Sequence, residues 1–215
     1  VICGVDEAGK GAVLGPLVIA AVGCECPDEL TGTGVRDSKE LSPAQRERLY
    51  AIVTGMCTSA VLSVPAQDVD RYRLRMNLNR CLARGHAQVI DRIAPAVAYV
   101  DACDVDAARY AHMVREHLSC SCTIVSRHNA DKQFPVVSAA SIVAKVERDR
   151  AVAALREVHG DFGSGYPSDE KTIAYLRDFI RDHKRSPPIA RRGWKTVAAL
   201  LDEEFQAKIT RFFGP

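Results

Sequence analysis

The chain has 215 residues, enough for one full-sized domain with its own core, or for one domain and a small appendage. It is 47% hydrophobic and 26% charged, the balance of an ordinary soluble globular protein, and no apolar run is long enough to span a bilayer. The formal net charge of +2 is close to neutral and names no partner by itself.

The chain opens on a short apolar run, Val1 to Val5, with no basic residues before it. This reads as a strand and not as a secretory signal, so a cytoplasmic location is expected. Leu17 to Cys24 is a second strand, reached through the Gly-rich connection Gly9-Lys10-Gly11 and Gly15-Pro16. A helix follows, with Ser42 as N-cap, Pro43 at its first position and Gln45 completing a capping box. Leu49, Ile52 and Val53 give it an apolar stripe, and Gly55 is placed to end it. Ala60 to Val64 is the third strand.

A long helix is expected from about Met76 to Ile93, because Leu78, Leu82, Val89 and Ile93 recur at near-helical spacing, and Pro95 closes it. Ala96 to Val100 reads as a buried strand ending at Asp101. Val105 to Leu118 reads as a helix capped by Asp104, and Cys122 to Val125 as another strand. A helix from Val136 to Val158 buries Ile142, Val143, Val146, Val152 and Leu155. After a Gly-rich loop, Ser168 caps a helix with Asp169 and Glu170 in its first turn, where they suit the helix dipole. Ile173, Leu176, Phe179 and Ile180 form its inner face. Leading strands followed by alternating helix and strand predict an α/β fold with a sheet of mixed direction, and a last third that is helical.

The eight cysteines lie mostly in apolar strand-like or helix-like runs. Cys24-x-Cys26 and Cys120-x-Cys122 lack zinc-knuckle spacing, so the thiols are read as reduced small hydrophobes.

Four carboxylates stand where strands end or loops begin. Asp6 and Glu7 end the first strand, Asp101 ends the strand Ala98-Tyr99-Val100, and Asp131 lies just past the strand through Val125, before the long helix. Side chains at strand ends meet solvent on a rigid support. Converging carboxylates repel one another, and a divalent cation removes the conflict. An all-oxygen set with no His or Cys adjacent points to Mg²⁺ or Mn²⁺ over Zn²⁺. Such a site suits phosphodiester hydrolysis, one ion activating water and a second steadying the leaving oxygen. Taken singly, each acid reads more readily as a solvated loop residue. Near the C-terminus, Arg181, Lys184, Arg185, Arg191, Arg192 and Lys195 cluster with Asp182 as the only acid among them, which reads as a solvated stretch or as a phosphate-binding patch.

Several blocks together resemble type 2 ribonuclease H, the ribonuclease HII family, in an archaeal-like form. They are Val5-Asp6-Glu7-Ala8-Gly9-Lys10-Gly11 with Gly15-Pro16, Asp37-Ser38-Lys39 with Leu41, Ala98-Tyr99-Val100-Asp101, and Ala130-Asp131 followed by Phe134 through Val146. Gly163-Ser164-Gly165-Tyr166-Pro167-Ser168 and Trp194-Lys195-Thr196 complete the series. They run in family order over nearly the whole chain. The resemblance implies a ribonuclease H-like fold and two-metal hydrolysis, with Asp6, Glu7, Asp101 and Asp131 as catalytic metal ligands. It implies a catalytic core over 1–160 and a helical C-terminal extension packed on it over 161–205. It implies that Gly9, Lys10 and Gly11 sense the 2′-hydroxyl of a ribonucleotide through backbone groups, where absent side chains permit close approach. Tyr166 matches the residue that packs on the following sugar. Ser38 and Lys39 match positions near the scissile or neighbouring phosphates, and Lys145, Arg192 and Lys195 join the substrate contacts. Lys10 departs from the Arg of many relatives; it keeps the charge without the planar fork, which bears on discrimination at single ribonucleotides.

The tail 206–213 has the spacing of a sliding-clamp-binding motif: Gln206, Ile209, then Phe212 and Phe213. In a tight helical turn these side chains project as one plug, and the resemblance makes the clamp PCNA. Beside a nuclease acting on RNA–DNA hybrids and ribonucleotide-containing duplex DNA as a monomer, the sequence admits a non-catalytic clamp-tethered hybrid-binding module, or another nuclease of the same fold such as a junction resolvase.

Overall fold

The structure is a computed structural model that describes residues 1–35 and 41–213, with side chains through Gln206. Strand β1 (Ile2–Ala8) is the centre of a five-stranded sheet. Its order is β3 (Thr58–Val64), β2 (Leu17–Cys24), β1, β4 (Val97–Asp101), β5 (Thr123–Arg127). β1 runs antiparallel to β2, from Ile2 opposite Cys24 to Ala8 opposite Val18. It runs parallel to β4, which runs parallel to β5. The mixed sheet and its flanking helices match the fold class read from the sequence.

Contacts divide the described chain into two units. The first comprises Val1–Ala8, Val18–Ser63 and Met76–Asp149. It holds the sheet with α1 (Asp28–Thr31), α2 (Pro43–Met56), α4 (Leu78–Ile93), α5 (Ala107–Arg115), α6 (Ala130–Gln133) and the first part of α7 (Pro135–His159). Every residue of β2 is buried, as expected of a Val- and Ala-rich strand covered on both faces. Its core packs Val22, Val53, Val136, Val137, Ala140 and Val143 together, and a neighbouring cluster joins Leu41 and Leu49 to Ile142 and Val146. Truncating one such aliphatic side chain to Ala costs roughly 2–5 kcal/mol. At Gly4 a β-carbon would lie 2.2 Å from the backbone carbonyl of Val136. Only glycine lets β1 lie against the start of α7 this closely.

The caps explain where the helices begin. Ser42 accepts from the Gln45 N–H at 3.3 Å and donates its own N–H to Gln45 at 2.8 Å, so the capping box forms as read. Gly55 does not end α2, which continues to Met56 and stops where Cys57 turns extended. α5 is capped by Asp106, which accepts from Ala108 and Arg109 N–H groups. Asp104 instead accepts from the Asp106 N–H, Asn79 and the Arg109 guanidinium.

The second unit comprises Gly9–Leu17, Val64–Arg75 and Arg150–Pro215. It holds α3 (Ala66–Arg73), the end of α7, α8 (Glu170–His183) and α9 (Lys195–Phe213). α8 is capped by Asp169 and not by Ser168: the Asp169 carboxylate accepts from the Lys171 N–H. The core of this unit joins Val13 and Leu14 to Val152, Phe162, Leu176 and Ile180. The last third is helical between loops, as expected, whereas α3 was not foreseen. Among the described residues, no helix is long and apolar enough to cross a membrane.

Candidate active site

Asp6 and Glu7 lie within the last turn of pleat of β1 and not beyond it, since the strand continues to Ala8. Asp101 is the last residue of β4, beside β1 in the sheet. Asp131 sits in the short helix α6 and not in a loop, and is buried. The Ala130 N–H donates to the Asp101 carboxylate at 2.8 Å, which ties α6 to the end of β4. The Glu7 N–H donates to the Asp6 carboxylate at 2.8 Å.

The acids act on one another through Asp101, which feels both Glu7 and Asp131, and through Asp6, which feels Glu7 and Asp101. Burial, then the charges of Glu7 and Asp101, hold the Asp6 carboxyl well above the usual carboxylate range, against the lowering effect of Ser141 and the Glu7 N–H. Burial also raises Asp101; the Ala130 N–H opposes it, while Glu7 and Asp131 add to it. A hard divalent cation among these oxygens would reverse both effects, so the donor set fits such an ion.

A second group of donor atoms stands beside the four acids. Among the described residues, ligand atoms of Glu7, His86 and Cys103 all lie within 4.8 Å of one another. Cys103 Sγ is 3.2 Å from each Glu7 carboxylate oxygen, and His86 Nε2 is 3.3 Å from Glu7 Oε2. The Tyr110 hydroxyl lies 3.2 Å from His86 Nδ1. His86, in the middle of α4, is far in sequence from all four acids, and Cys103, although only two residues past Asp101, has no spacing that points to Glu7. The fold alone brings them there. All eight cysteines are free, as read.

In the second unit, Gly9 adopts φ +85, a conformation that favours glycine. Its N–H donates to the Tyr166 hydroxyl at 3.1 Å. Val13 and Leu14 donate to the carbonyl of Gly165 at 2.8 and 3.1 Å, so the two Gly-rich segments are stitched together. Arg191 completes this arrangement. It is fully buried, and its guanidinium donates to the carbonyls of Lys10 at 3.2 Å and of Gly15 at 3.2 and 3.3 Å. It also lies over the Trp194 ring, 5.0 Å from its centroid. Arg191 is therefore a clamp on the loop and not part of a phosphate-binding surface. No local sequence signal separates it from its exposed neighbour Arg192.

Lys10 is half-buried and Gly11 is exposed, with open space beside its Cα. Arg192 is exposed; its Nε donates to Ser186 at 2.9 Å and its N–H to Asp70 at 2.6 Å. Lys195 is exposed. Arg181 pairs with Asp178 and Asp182, and Lys184 with Glu204, so much of the basic stretch is neutralised locally. Lys145 pairs with Asp149 at 3.4 Å. Ser38 and Lys39 lie outside the described residues. The backbone is helical through Phe213 and Gln206 is exposed, while the side chains of Ile209, Phe212 and Phe213 lie outside the described residues.

A mixed five-stranded sheet of this order with flanking helices is the ribonuclease H-like fold. The family model for ribonuclease HII matches residues 3–197, and the chain belongs to the ribonuclease HII family. It is 56% identical to ribonuclease HII of Methanoregula boonei, over 99% of this chain and 100% of that one. Its structure resembles the ribonuclease H2 of Pyrococcus horikoshii OT3, with a TM-score of 0.89 and 38% identity over 95% of this chain and 99% of that one. It also resembles the ribonuclease HII of Archaeoglobus fulgidus in the PCNA:RNase HII complex, with a TM-score of 0.86 and 41% identity over 93% and 96%. The chain is thus an enzyme, a metal-dependent hydrolase that acts on RNA–DNA hybrids.

Proposed function

We propose that this chain hydrolyses the phosphodiester 5′ of a ribonucleotide, both in RNA–DNA hybrids and where ribonucleotides are embedded in duplex DNA, leaving a 3′-hydroxyl and a 5′-phosphate. The observation that carries the reading is the mutual pressure among the acids: the Asp6 and Asp101 carboxyls are raised by burial and by neighbouring acids. That arrangement is costly for a protein that only binds nucleic acid, because negative charge beside phosphates weakens binding.

Asp6, Glu7, Asp101 and Asp131 would hold two divalent ions, Mg²⁺ or Mn²⁺, within the catalytic core over 1–160. When bound, such ions activate water and neutralise charge at the leaving oxygen. The Ala130 N–H fixes one Asp101 oxygen, which leaves the other to serve as ligand. Gly9, Lys10 and Gly11 would meet the ribonucleotide through backbone groups, and Tyr166 would present its ring to the next sugar. The bond from Gly9 to the Tyr166 hydroxyl supports a shared role, since it makes the two segments one rigid element. Lys145, Arg192 and Lys195, with Ser38 and Lys39, would contact phosphates.

Such an enzyme removes misincorporated ribonucleotides and RNA primers as a cytoplasmic monomer. The Archaeoglobus relative is seen with PCNA. By likeness, Gln206, Ile209, Phe212 and Phe213 would tether this chain to a sliding clamp, beyond the helical extension over 161–205. Tethering raises the local concentration on DNA without any new catalytic contact.

The test is cleavage, with Mg²⁺ and then Mn²⁺, of a continuous hybrid, a DNA duplex with one ribonucleotide, and an all-DNA junction. Cuts 5′ of ribonucleotides are expected. No cleavage with either ion would favour a binding module, and efficient cutting of the junction alone would favour a resolvase.

A further inference from the structure

Glu7, His86 and Cys103 form a donor set of a different chemical kind from the four acids. One carboxylate, one imidazole nitrogen and one thiol sulfur all lie within 4.8 Å of one another. Sulfur to carboxylate oxygen is 3.2 Å, and imidazole nitrogen to carboxylate oxygen is 3.3 Å. Tetrahedral zinc, with bonds of about 2.0–2.3 Å to such ligands, sets its ligand atoms at comparable separations. His86 is fully buried. Its Nε2 makes no well-formed hydrogen bond, although it faces the Glu7 carboxylate. The Tyr110 hydroxyl at Nδ1 and the Tyr110 ring set edge-on at 5.7 Å fix the imidazole in this pose. A ring held through its other nitrogen is the usual support of a metal-ligating histidine.

We propose that Glu7, His86 and Cys103 form a binding site for Zn²⁺, and that zinc held there inhibits the nuclease by engaging Glu7. A thiolate with an imidazole selects a borderline-soft cation, and Mg²⁺ does not compete for such ligands. On binding, the Cys103 thiol loses its proton to solvent, and sulfur, nitrogen and oxygen each donate a lone pair to the ion. No oxidant or reductant takes part. Glu7 cannot then serve the hard ions as it does alone. The inhibitory half of the inference rests on Glu7 being a ligand of the catalytic ions; the binding half does not.

The experiment uses the full chain, wild type and Cys103→Ala, with Co²⁺ as an optical stand-in for Zn²⁺. Wild type is expected to show one equivalent of thiolate-to-cobalt charge-transfer absorption beyond that of Cys103→Ala, and Zn²⁺ to bleach it. The other cysteines give the two proteins a common background. Cleavage of a ribonucleotide-containing duplex with Mg²⁺ is referred, for each protein, to its own rate without zinc. The zinc concentration that halves cleavage is expected to rise at least about tenfold, the lower end of what loss of a metal's supporting groups costs. Cys103→Ser, which keeps the size of the side chain, should behave like Cys103→Ala; it carries the comparison if the Ala variant folds poorly. Identical cobalt spectra in wild type and variants overturn the site. A cobalt difference with unchanged zinc sensitivity overturns the inhibition. A wild-type protein that cuts nothing with Mg²⁺ or Mn²⁺ overturns the proposed function instead, and the cobalt comparison still judges the site.

Discussion

The Gly9 N–H and the Tyr166 hydroxyl are joined by a 3.1 Å hydrogen bond that spans 157 positions of sequence. The glycine belongs to the segment expected to feel a 2′-hydroxyl, and the tyrosine to the segment expected to meet the next sugar. The bond makes the position of one depend on the other. Tyr166→Phe keeps the ring and removes the acceptor, which is worth about 1 kcal/mol. Cleavage at a single embedded ribonucleotide should fall roughly fivefold in kcat/KM, while a continuous hybrid should lose less. Tyr166→Ala should lose more on both substrates. Steady-state kinetics on the two substrates checks this, and equal losses for Tyr166→Phe on both would separate the bond from junction recognition.

Asp101→Asn should reduce cleavage by at least about 100-fold, the upper range found even for groups that only orient a metal's ligands. Its metal-free stability should be unchanged or higher. The amide oxygen can still accept from Ala130, and the charge that presses on Asp6 is gone. Denaturant melts in a chelator, run beside activity assays, check both halves. Loss of activity accompanied by loss of fold would remove the metal-ligand interpretation.

Arg191→Ala should destabilise the protein by about 3 kcal/mol, because the buried carbonyl of Gly15 and the part-buried carbonyl of Lys10 lose a charged donor. Arg191→Lys should recover little, since an ammonium cannot reproduce the fork. Arg192→Ala, at an exposed position, should leave the unfolding midpoint nearly unchanged and make hybrid binding less salt-dependent. Urea titration and binding measured at several salt concentrations distinguish the neighbours.

Asp104 provides a test by pH. The Asp106 N–H first, then the Arg109 guanidinium, lower its carboxyl to about 2. Because the folded value lies below the unfolded one of about 3.9, its contribution to stability is complete above that unfolded value. It is lost as pH falls from about 4 to about 2. Asp104→Asn should therefore lower stability at neutral pH and flatten the acid limb of the stability profile. Parallel profiles for wild type and variant would show that the carboxylate contributes nothing.

Much of this architecture can be read before folding. Strand periodicity located the acids of β1 and β4, and the capping box at Ser42 formed as spelled out. The misreadings have physical causes. Asp104 and Asp106 both precede the same apolar run, and the residue nearer the first helical turn became the cap. Asp169 displaced Ser168 for the same reason. α3 follows Pro65 with a charged sequence whose buried positions, Ala66 and Val69, are too few to show a helical stripe. Arg191 looked like surface because charge usually is surface; its burial follows from carbonyls supplied by a segment far earlier in the chain. His86 and Cys103 reach Glu7 only through the packing of α4 on β1 and the position of Cys103 just beyond β4, and no spacing announces a meeting of that kind.

The missing side chain at Gly4 has a reach beyond its own position. The strand that presents Asp6 and Glu7 rests backbone to backbone on the start of α7, with room for a hydrogen atom and nothing larger. Mutual repulsion among acids would ordinarily be relieved by letting their supports drift apart. Here that relief would require prising a strand off a helix in the dry interior, so the crowding is held in place. Putting even a methyl group at this position should loosen the grip on metal from two residues away, without touching any group that binds it.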